Sequence, residues 1–269
     1  MRPFNSLSLS FLMAGLVAVS LLFSVSVSAQ DKSLTAKEIM DRAIDQNQAL
    51  GITQGSMDIK LVIEDRTGTR RTRLLGVKSA KVDETVRRLV KITSPKELAG
   101  QAFLFSENKS AEDDVWMYLP AFKVSRRVEG SQKKGAFLGS HFSFADLESR
   151  DLKAADYKRL DDEKIANDPV YVISVTPKDK ASSEYGKIKV YVSQASNMLS
   201  KIRFYDKEGK EEIKTLFVEK ITKGETGSAY ISQMTLRSKK GGYSTIIISN
   251  ADFDASFPTS LFTREQLGK

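Results

Sequence analysis

Residues 56–64 have the sequence SMDIKLVIE, in which apolar side chains occupy every second position from Met57 to Ile63. This period of two is typical of a β-strand that buries one face. The turn sequence DRTG follows at 65–68, and residues 69–78 form a return strand. We therefore predict an antiparallel hairpin at the start of the folded region.

Strand-like segments continue along most of the chain. They are predicted at 85–93, 101–106, 115–119, 123–128, 170–176, 187–193, 199–206, 213–222, 229–238 and 243–253. About a dozen short strands at close spacing favour a mostly antiparallel sheet that curls on itself.

Basic residues within these strands predict one charged, solvent-facing side of the sheet. They are Arg71, Arg73, Arg87, Arg88, Lys187, Lys189, Lys201 and Arg203. Their number opposes a membrane-spanning barrel, because a basic side chain facing lipid costs ~2–4 kcal/mol near the bilayer midplane.

A short amphipathic helix precedes the first hairpin. Thr35 and Glu38 have the spacing of a capping box, in which each side chain bonds the backbone N–H of the other residue. Apolar residues from Ile39 to Ile44 then form one stripe, and Gly51 ends the segment. Such a helix needs an apolar surface to cover.

Composition excludes several classes of protein. The 269 residues include no Cys and one His, which excludes disulfides, cysteine nucleophiles and zinc–thiolate or iron–sulfur sites, and disfavours His-rich metal sites. We predict no cofactor and no metal. The formal charge of +8 is compatible with anionic lipid or an acidic partner.

Residues 1–29 have the three-part layout of a secretory signal peptide. Arg2 is followed by the apolar run FLMAGLVAVSLLF at 11–23 and by small residues up to Ala29. The alternative is a membrane anchor, but a spanning helix needs ~20 predominantly apolar residues. We predict cleavage after Ala29, which would leave residues 30–269 as one exported domain in the periplasm.

A loop interrupts the strands at 130–145, and residues 146–160 are predicted to be weakly helical. Four apolar side chains crowd this loop: Phe137, Leu138, Phe142 and Phe144. They could plug the sheet, or they could belong to a mobile flap over a cavity, since long loops are often binding elements.

The residue types that carry catalysis give little support to an enzyme. His141 follows Ser140 directly, whereas nucleophile and base of a triad converge from distant positions. An enzyme would most plausibly use the carboxylates of Asp146, Glu148 and Asp151, but acidic residues near a helix start more often interact with the helix dipole. The chain lacks a phosphate-binding loop, HExxH and GxSxG. We predict that it is not an enzyme.

Three segments resemble a known family. Residues 114–120 (DVWMYLP), 123–127 (KVSRR) and 135–146 (GAFLGSHFSFAD) are similar to the signature W-x-Y-L-P, R-R-I, F-x-G-[ST]-D-F-[ST]-Y-E-D. This signature belongs to the outer-membrane lipoprotein-sorting protein family, the branch of LolA-like periplasmic carriers associated with RND/MMPL-type exporters. The chain differs in having His141 where Asp is commoner and Phe144-Ala145 in place of Tyr-Glu.

The resemblance implies a mainly β (α+β) fold of the LolA/LolB type, an incomplete antiparallel β-barrel closed by short helices. It also implies a monomeric carrier that holds lipoprotein acyl chains or another lipid in an apolar cavity and passes it toward the outer membrane. An RND/MMPL-type inner-membrane transporter is a possible partner, with transient membrane contact and no nucleic acid. The alternative is a non-catalytic adaptor of such an exporter, whose barrel is filled by its own side chains.

Two sets of residues are candidates for these contacts. The predicted lipid-binding residues are Trp116, Tyr118, Leu119, Phe137, Leu138, Phe142 and Phe144. Those predicted to face a headgroup or a partner are Lys123, Arg126, Arg127, Lys133 and Lys134. A one-residue shift in strand parity would reverse the face on which the strand residues lie.

Overall fold

One curved antiparallel sheet dominates the computed structural model. The structure describes residues 34–46, 52–108, 113–148, 152, 154–179, 183–224 and 227–269. Within these ranges, fourteen strands and one α-helix are present. The predicted signal peptide, residues 1–29, and the predicted helix end at Gly51 lie outside the described residues.

The strands divide into two groups along the chain. The first six are β1 (Gly55–Glu64), β2 (Arg70–Val82), β3 (Thr85–Ser94), β4 (Ala102–Ser106), β5 (Asp114–Leu119) and β6 (Val124–Arg127). The other eight are β7 (Ala155–Arg159), β8 (Glu163–Ile165), β9 (Asp168–Pro177), β10 (Lys187–Ser193), β11 (Leu199–Tyr205), β12 (Glu212–Lys223), β13 (Ala229–Ser238) and β14 (Tyr243–Asp252).

Each group is an up-and-down meander, and β1 and β14 join the two meanders. The order across the sheet is β6-β5-β4-β3-β2-β1-β14-β13-β12-β11-β10-β9-β7, with β8 also paired to β9. The end strands β6 and β7 are not paired with each other, so the sheet is not closed. The predicted mainly β, incomplete antiparallel barrel is therefore confirmed.

The prediction of a weak helix at 146–160 is wrong for residues 155–159, which form β7. A 3₁₀ turn spans Ala145–Leu147 and Leu152 is helical, while residues 149–151 and 153 lie outside the described residues. Strand β7 pairs with β9 from Ala155↔Pro177 to Arg159↔Ile173. Because β9 is a buried, Val-rich strand whose edge opposite β10 can bond a further strand, ladder hydrogen bonds outweigh the local helix preference of residues 155–159.

Helix α1 (Ala36–Gln46) begins at the predicted capping box. The Thr35 backbone N–H donates to Glu38 Oε2 at 2.8 Å, and the Glu38 N–H donates to Thr35 Oγ1 at 3.2 Å. Ile39, Met40 and Ala43 are buried. The predicted apolar stripe of the helix is thus the face that covers the sheet.

The main core lies on one face of the sheet, which we call the inner face. It carries the buried side chains of α1 together with residues such as Leu61, Val90, Phe103 and Ile231. The charged side predicted from the basic strand residues is the opposite, outer face, where Lys60 is exposed and where Lys187 and Lys189 lie. Arg71 and Arg73, which were predicted there, instead share the inner face with their cross-strand partners Ile63 and Leu61, at the end of β2.

The C-terminal segment covers part of the outer face. Phe262 and Leu267 pack there with Leu89 and Leu104, and Trp116 and Tyr118 lie at the edge of the same cluster. The Arg87 guanidinium adds a hydrogen bond to the Phe262 carbonyl oxygen at 3.1 Å. The strand β5 therefore has apolar neighbours on both faces.

We expect Phe262→Ala to lower the free energy of unfolding by about 3–5 kcal/mol, because a fully buried aromatic side chain would leave a cavity. The matched control is Phe122→Ala, since Phe122 is 74% exposed and its removal should change stability by less than about 0.5 kcal/mol. Urea denaturation of both variants tests this. Equal stability of the two would show that the C-terminal segment does not contribute to the fold.

Candidate functional site: an apolar cavity beneath the 130–148 segment

A cavity of about 300 Å³ lies against the inner face of the sheet. Its apolar lining comes from α1, from β10 to β14 and from the loop side chains above them. These residues are Met40, Ala43, Ile44, Phe142, Ala145, Leu147, Leu152, Ile188, Leu199, Ile202, Phe204, Leu216, Met234, Leu236 and Ile246. Polar groups, including Arg88, Glu107, Asp146, Glu148 and Tyr185, line the rest.

A second, smaller cavity of about 120 Å³ adjoins the first. Both are lined by Arg88, Phe142, Leu147, Met234 and Ile246, which places these side chains where the two spaces meet. The rest of the smaller cavity is formed by aliphatic and aromatic side chains of β1 to β4, β14 and the loop. Together the two cavities offer a continuous apolar surface suited to a hydrocarbon chain.

The 130–148 segment covers this space and is anchored by aromatic contacts. The Phe137 ring lies 5.2 Å from Phe103 and 5.3 Å from Phe144, measured between ring centroids. Phe144 also lies 5.7 Å from Phe103. These rings pack into the main core, whereas Phe142, between them in sequence, lines both cavities. The segment is therefore both anchored in the sheet and placed over a cavity.

Asp146 ties the end of the segment to the far side of the cavity. Its carboxylate accepts hydrogen bonds from Lys214 Nζ at 2.6 Å and from the Tyr185 hydroxyl at 2.5 Å. The Ser143 backbone N–H donates to the same group at 2.7 Å. Burial, followed by the charge of Asp146, raises the pKa of Tyr185, so its hydroxyl keeps the proton that it donates.

Lys133 provides a second tether. Its Nζ lies 2.9 Å from Glu148 Oε1 and donates to the Asp113 carbonyl oxygen. Because the side chain is 8% exposed, the prediction that Lys133 faces a headgroup or partner is wrong. The Glu148 carboxylate and the Asp113 carbonyl oxygen offset the cost of burying this ammonium group.

The other predicted basic residues lie at the surface. Lys123, Arg126 and Lys134 are exposed, and Arg127 forms ion pairs with Asp114 and Glu129. Lys123, Arg126 and Arg127 belong to the β5–β6 hairpin at one end of the sheet, whereas Lys134 is on the covering segment.

The predicted lipid-binding residues occupy three different places. Phe142 lines both cavities and Phe137 lines the smaller one. Phe144 and Leu138 pack in the adjoining core, and Leu119 is half-buried at the end of β5. Trp116 and Tyr118 lie on the outer face beside the C-terminal segment, so they do not line either cavity.

Arg88 is a cavity residue that sequence analysis placed incorrectly. It was predicted on the solvent-facing side, yet it is 9% exposed and lines both cavities. Strand parity could have revealed this, because Arg88 alternates with the inner-face residues Val90 and Ile92, while Arg87 alternates with Leu89 on the outer face.

His141 contacts a serine other than its sequence neighbour. Its backbone N–H donates to Ser244 Oγ at 3.0 Å, and its Nδ1 lies 2.8 Å from the same oxygen. Ser244 is fully buried, so its hydroxyl is not placed to attack a substrate. Burial lowers the pKa of His141, which favours the neutral ring in this contact.

Other kinds of site receive no support from the described ranges. Within them, no three His, Asp or Glu side chains converge in a way that would hold a metal ion. Asp146 and Glu148 each bind a lysine, and Asp151, the third carboxylate considered for catalysis, lies outside the described residues. No helix in the described part of the chain is long and apolar enough to cross a membrane.

Known proteins share this architecture. A family model described as "Uncharacterized protein" matches residues 84–269. A domain from Vibrio parahaemolyticus, described as an outer membrane lipoprotein-sorting protein domain, has a TM-score of 0.77 and 26% identity, covering 87% of this chain and 100% of that one. No curated protein sequence matches.

Two further crystal structures have the same fold. A DUF1329 family protein from Desulfovibrio piger has a TM-score of 0.78 and 24% identity, over 86% of this chain and 98% of that one. A LolA superfamily protein from Nitrosomonas europaea has a TM-score of 0.69 and 22% identity, over 86% and 99% of the two chains. The predicted LolA-like fold is confirmed.

We expect Lys214→Met to lower the free energy of unfolding by about 3–5 kcal/mol, because it leaves the buried Asp146 carboxylate without its cation. The matched control is Lys37→Met, which breaks an ion pair whose side chains are 72% and 50% exposed and should cost less than about 1 kcal/mol. Urea denaturation measures both. Equal losses would show that the Asp146 tether does not stabilise the covering segment.

Proposed function

The chain belongs to the family whose model matches residues 84–269, and from its LolA-like fold we propose that it is a periplasmic carrier. It would bind the acyl part of a lipoprotein or another lipid in the cavity beneath the 130–148 segment and pass it toward the outer membrane. The similar domain from Vibrio parahaemolyticus, which is described as an outer membrane lipoprotein-sorting protein domain, supports this direction of transfer.

The observation that carries the proposal is the open apolar space itself. Its volume of about 300 Å³ falls at the lower end of the range for ligand pockets, about 300–1,000 Å³. Each buried CH₂ contributes ~0.8 kcal/mol, so a sixteen-carbon chain moved fully out of water would gain ~12 kcal/mol. Binding by this affinity alone needs no nucleotide, in keeping with a sequence that has no phosphate-binding loop motif.

Release requires a competing apolar surface or movement of the covering segment. We propose that the 130–148 segment is a flap that opens when the Asp146 and Lys133 tethers break. An acceptor protein, or an RND/MMPL-type transporter in the inner membrane, would supply the competing surface. The carrier would act as a monomer.

The β5–β6 hairpin is the proposed site of contact with a membrane or partner. Phe122 at its tip is 74% exposed and lies beside the exposed Lys123, with Arg126 farther along β6. An exposed aromatic ring next to basic side chains suits the interface of an anionic membrane. Contact there would be transient.

The cavity also bears on the competing hypothesis. An adaptor whose barrel is filled by its own side chains would leave little space on the inner face. Here Phe137 and Phe144 fill one part of that face, but about 300 Å³ next to them is not filled by protein. The geometry therefore favours a carrier over a self-filled adaptor.

Blocking the cavity should remove the cargo. We expect protein purified from the periplasm to carry acylated molecules that are detected by mass spectrometry after solvent extraction. Ile246→Trp should lower their amount at least about tenfold, because Ile246 lines both cavities and the larger ring would occupy them. Phe142→Asp should act in the same way by placing a charge in the apolar space.

The matched control is Ile247→Trp, one residue along the same strand and absent from the lining of both cavities. It should retain the wild-type amount of lipid. Absence of any acylated molecule from the wild-type protein, together with failure to load one, would overturn the carrier proposal.

Export to the periplasm is a separate prediction. If the segment before Gln30 is a cleaved signal peptide, N-terminal sequencing of the protein from a periplasmic extract will begin at Gln30. Replacing Ala29 with Arg should block cleavage, because signal peptidase requires a small residue at the cut. A wild-type protein that keeps Met1 and stays in the membrane fraction would favour an N-terminal anchor instead.

A further inference from the structure

Arg88 brings a charge into a space otherwise suited to hydrocarbon. It lies in β3 on the inner face, opposite Phe105 of β4, and is 9% exposed. Both cavities are lined by it, and within the described residues it is the one charged side chain that lines the smaller cavity. A cation in this position requires a partner, because a buried charge without one is costly.

The protein leaves part of the hydrogen-bonding capacity of the Arg88 guanidinium group unused. Nη2 of Arg88 is buried and has no hydrogen-bond partner among the described residues. Its ion-pair partner, Oδ2 of Asp113, is 3.9 Å away, which is too far for a hydrogen bond. This oxygen also has no hydrogen-bond partner in the described part of the chain. A buried donor left in this state typically costs about 1–3 kcal/mol.

The Asp113 carboxyl group lies too far from Arg88 to accept a hydrogen bond from its Nη2. The Asp113 side chain is 2% exposed, and this burial raises the pKa of its carboxyl group above the usual range. The neighbouring Arg88 and Lys133 act in the opposite direction but less strongly. Arg88 is thus left able to hydrogen-bond an acceptor that enters the cavity.

We infer that Arg88 recognises the head of the cargo, and that the cargo is a single-chain amphiphile ending in a carboxylate, such as a long-chain fatty acid. Nη2 donates to a carboxylate oxygen while the alkyl chain lies along the apolar lining shared by the two cavities. This inference rests on the proposed carrier function and adds the chemical class of the ligand.

A carboxylate suits this site better than a phosphate. A phosphate monoester carries a charge of about −1.5 to −2 and three acceptor oxygens, so it needs several donors. The larger cavity is lined by Glu107, Asp146 and Glu148 as well as Arg88, and these carboxylates would repel a polyanion. A carboxylate carries one negative charge and has two acceptor oxygens, so one guanidinium group can serve as its hydrogen-bond donor and counter-ion.

The test compares ligands of equal chain length on protein produced from the full 269-residue sequence and stripped of lipid. Equilibrium binding of radiolabelled palmitate, hexadecanol and hexadecyl phosphate is measured for the wild type and for Arg88→Gln, Arg88→Lys and Arg87→Gln. Arg87→Gln is the matched control, since it removes the same charge one residue away on the outer face.

The wild type should bind palmitate at least about tenfold more tightly than hexadecanol, in line with a hydrogen bond to a charged group. Arg88→Gln should abolish this preference without weakening hexadecanol binding, Arg88→Lys should keep part of it, and Arg87→Gln should keep all of it.

Equal binding of palmitate and hexadecanol by the wild type would overturn the inference and leave the carrier function standing. A preference for hexadecyl phosphate over palmitate, or a palmitate preference that survives in Arg88→Gln, would overturn it too. If no ligand binds, both the inference and the proposed function fail. If Arg88→Gln does not fold, the comparison of palmitate with hexadecanol binding in the wild type and in Arg88→Lys still tests the inference.

Discussion

The feature on which the rest of the structure depends is a strongly apolar inner face on a sheet that does not close. In a closed barrel the two end strands would pair with each other through backbone hydrogen bonds, and the sheet would enclose its own interior. Here β6 and β7 are not paired with each other, so other elements must cover the inner face. Helix α1 and the 130–148 segment do this, and the space that they leave is the candidate site.

The covering segment is held in two physically different ways. Phe137 and Phe144 stack with Phe103, which is non-directional packing that tolerates small shifts. Asp146 instead makes directional contacts with Lys214 of β12 and with Tyr185, and Lys133 donates to the Asp113 carbonyl oxygen outside the segment. Such pairs are strong while water is excluded and weaken once it enters. The two tethers flank the aromatic residues in sequence, so loss of the Asp146 contacts would free the end of the segment while Phe137 stays packed against Phe103.

Much of the architecture was predictable because strands with one buried face have a simple signature. Alternation placed β1 within one residue of its observed start, and the Thr35–Glu38 capping box identified the start of α1. The segment at 155–159 was missed because the partner that makes it a strand, β9, is remote in sequence. Local patterns do not contain that information.

The candidate site was less predictable, for a related reason. Aromatic residues cluster at 137–144, and the sequence correctly suggested that they lie together. Composition alone cannot tell that Phe142 faces a cavity while Phe144 packs beside it. Nor could it show that Trp116 and Tyr118 lie under the C-terminal segment, because that contact joins residues about 150 positions apart in the chain.

Lys133 and Arg88 illustrate the limit for charged residues. Each was assigned to solvent because charged side chains are mostly exposed. Each is buried instead, Lys133 beside Glu148 and Arg88 beside Asp113. Whether a charged side chain is buried depends on partners that only the folded chain brings together. Residue type alone therefore predicts solvent exposure, which is the usual case, and fails for buried charges such as Lys133 and Arg88. Exceptions of this kind concentrate at binding sites.

Access to solvent sets the energetic meaning of the larger cavity. Its lining includes Asp45 and Thr53, which are exposed, so water can reach the apolar side chains inside. Apolar surface in contact with water is unfavourable by ~25 cal/mol per Å². An alkyl chain that displaces this water would remove that cost, so the gap left by the unclosed sheet is both the least stable part of the inner face and the part best suited to a hydrocarbon ligand.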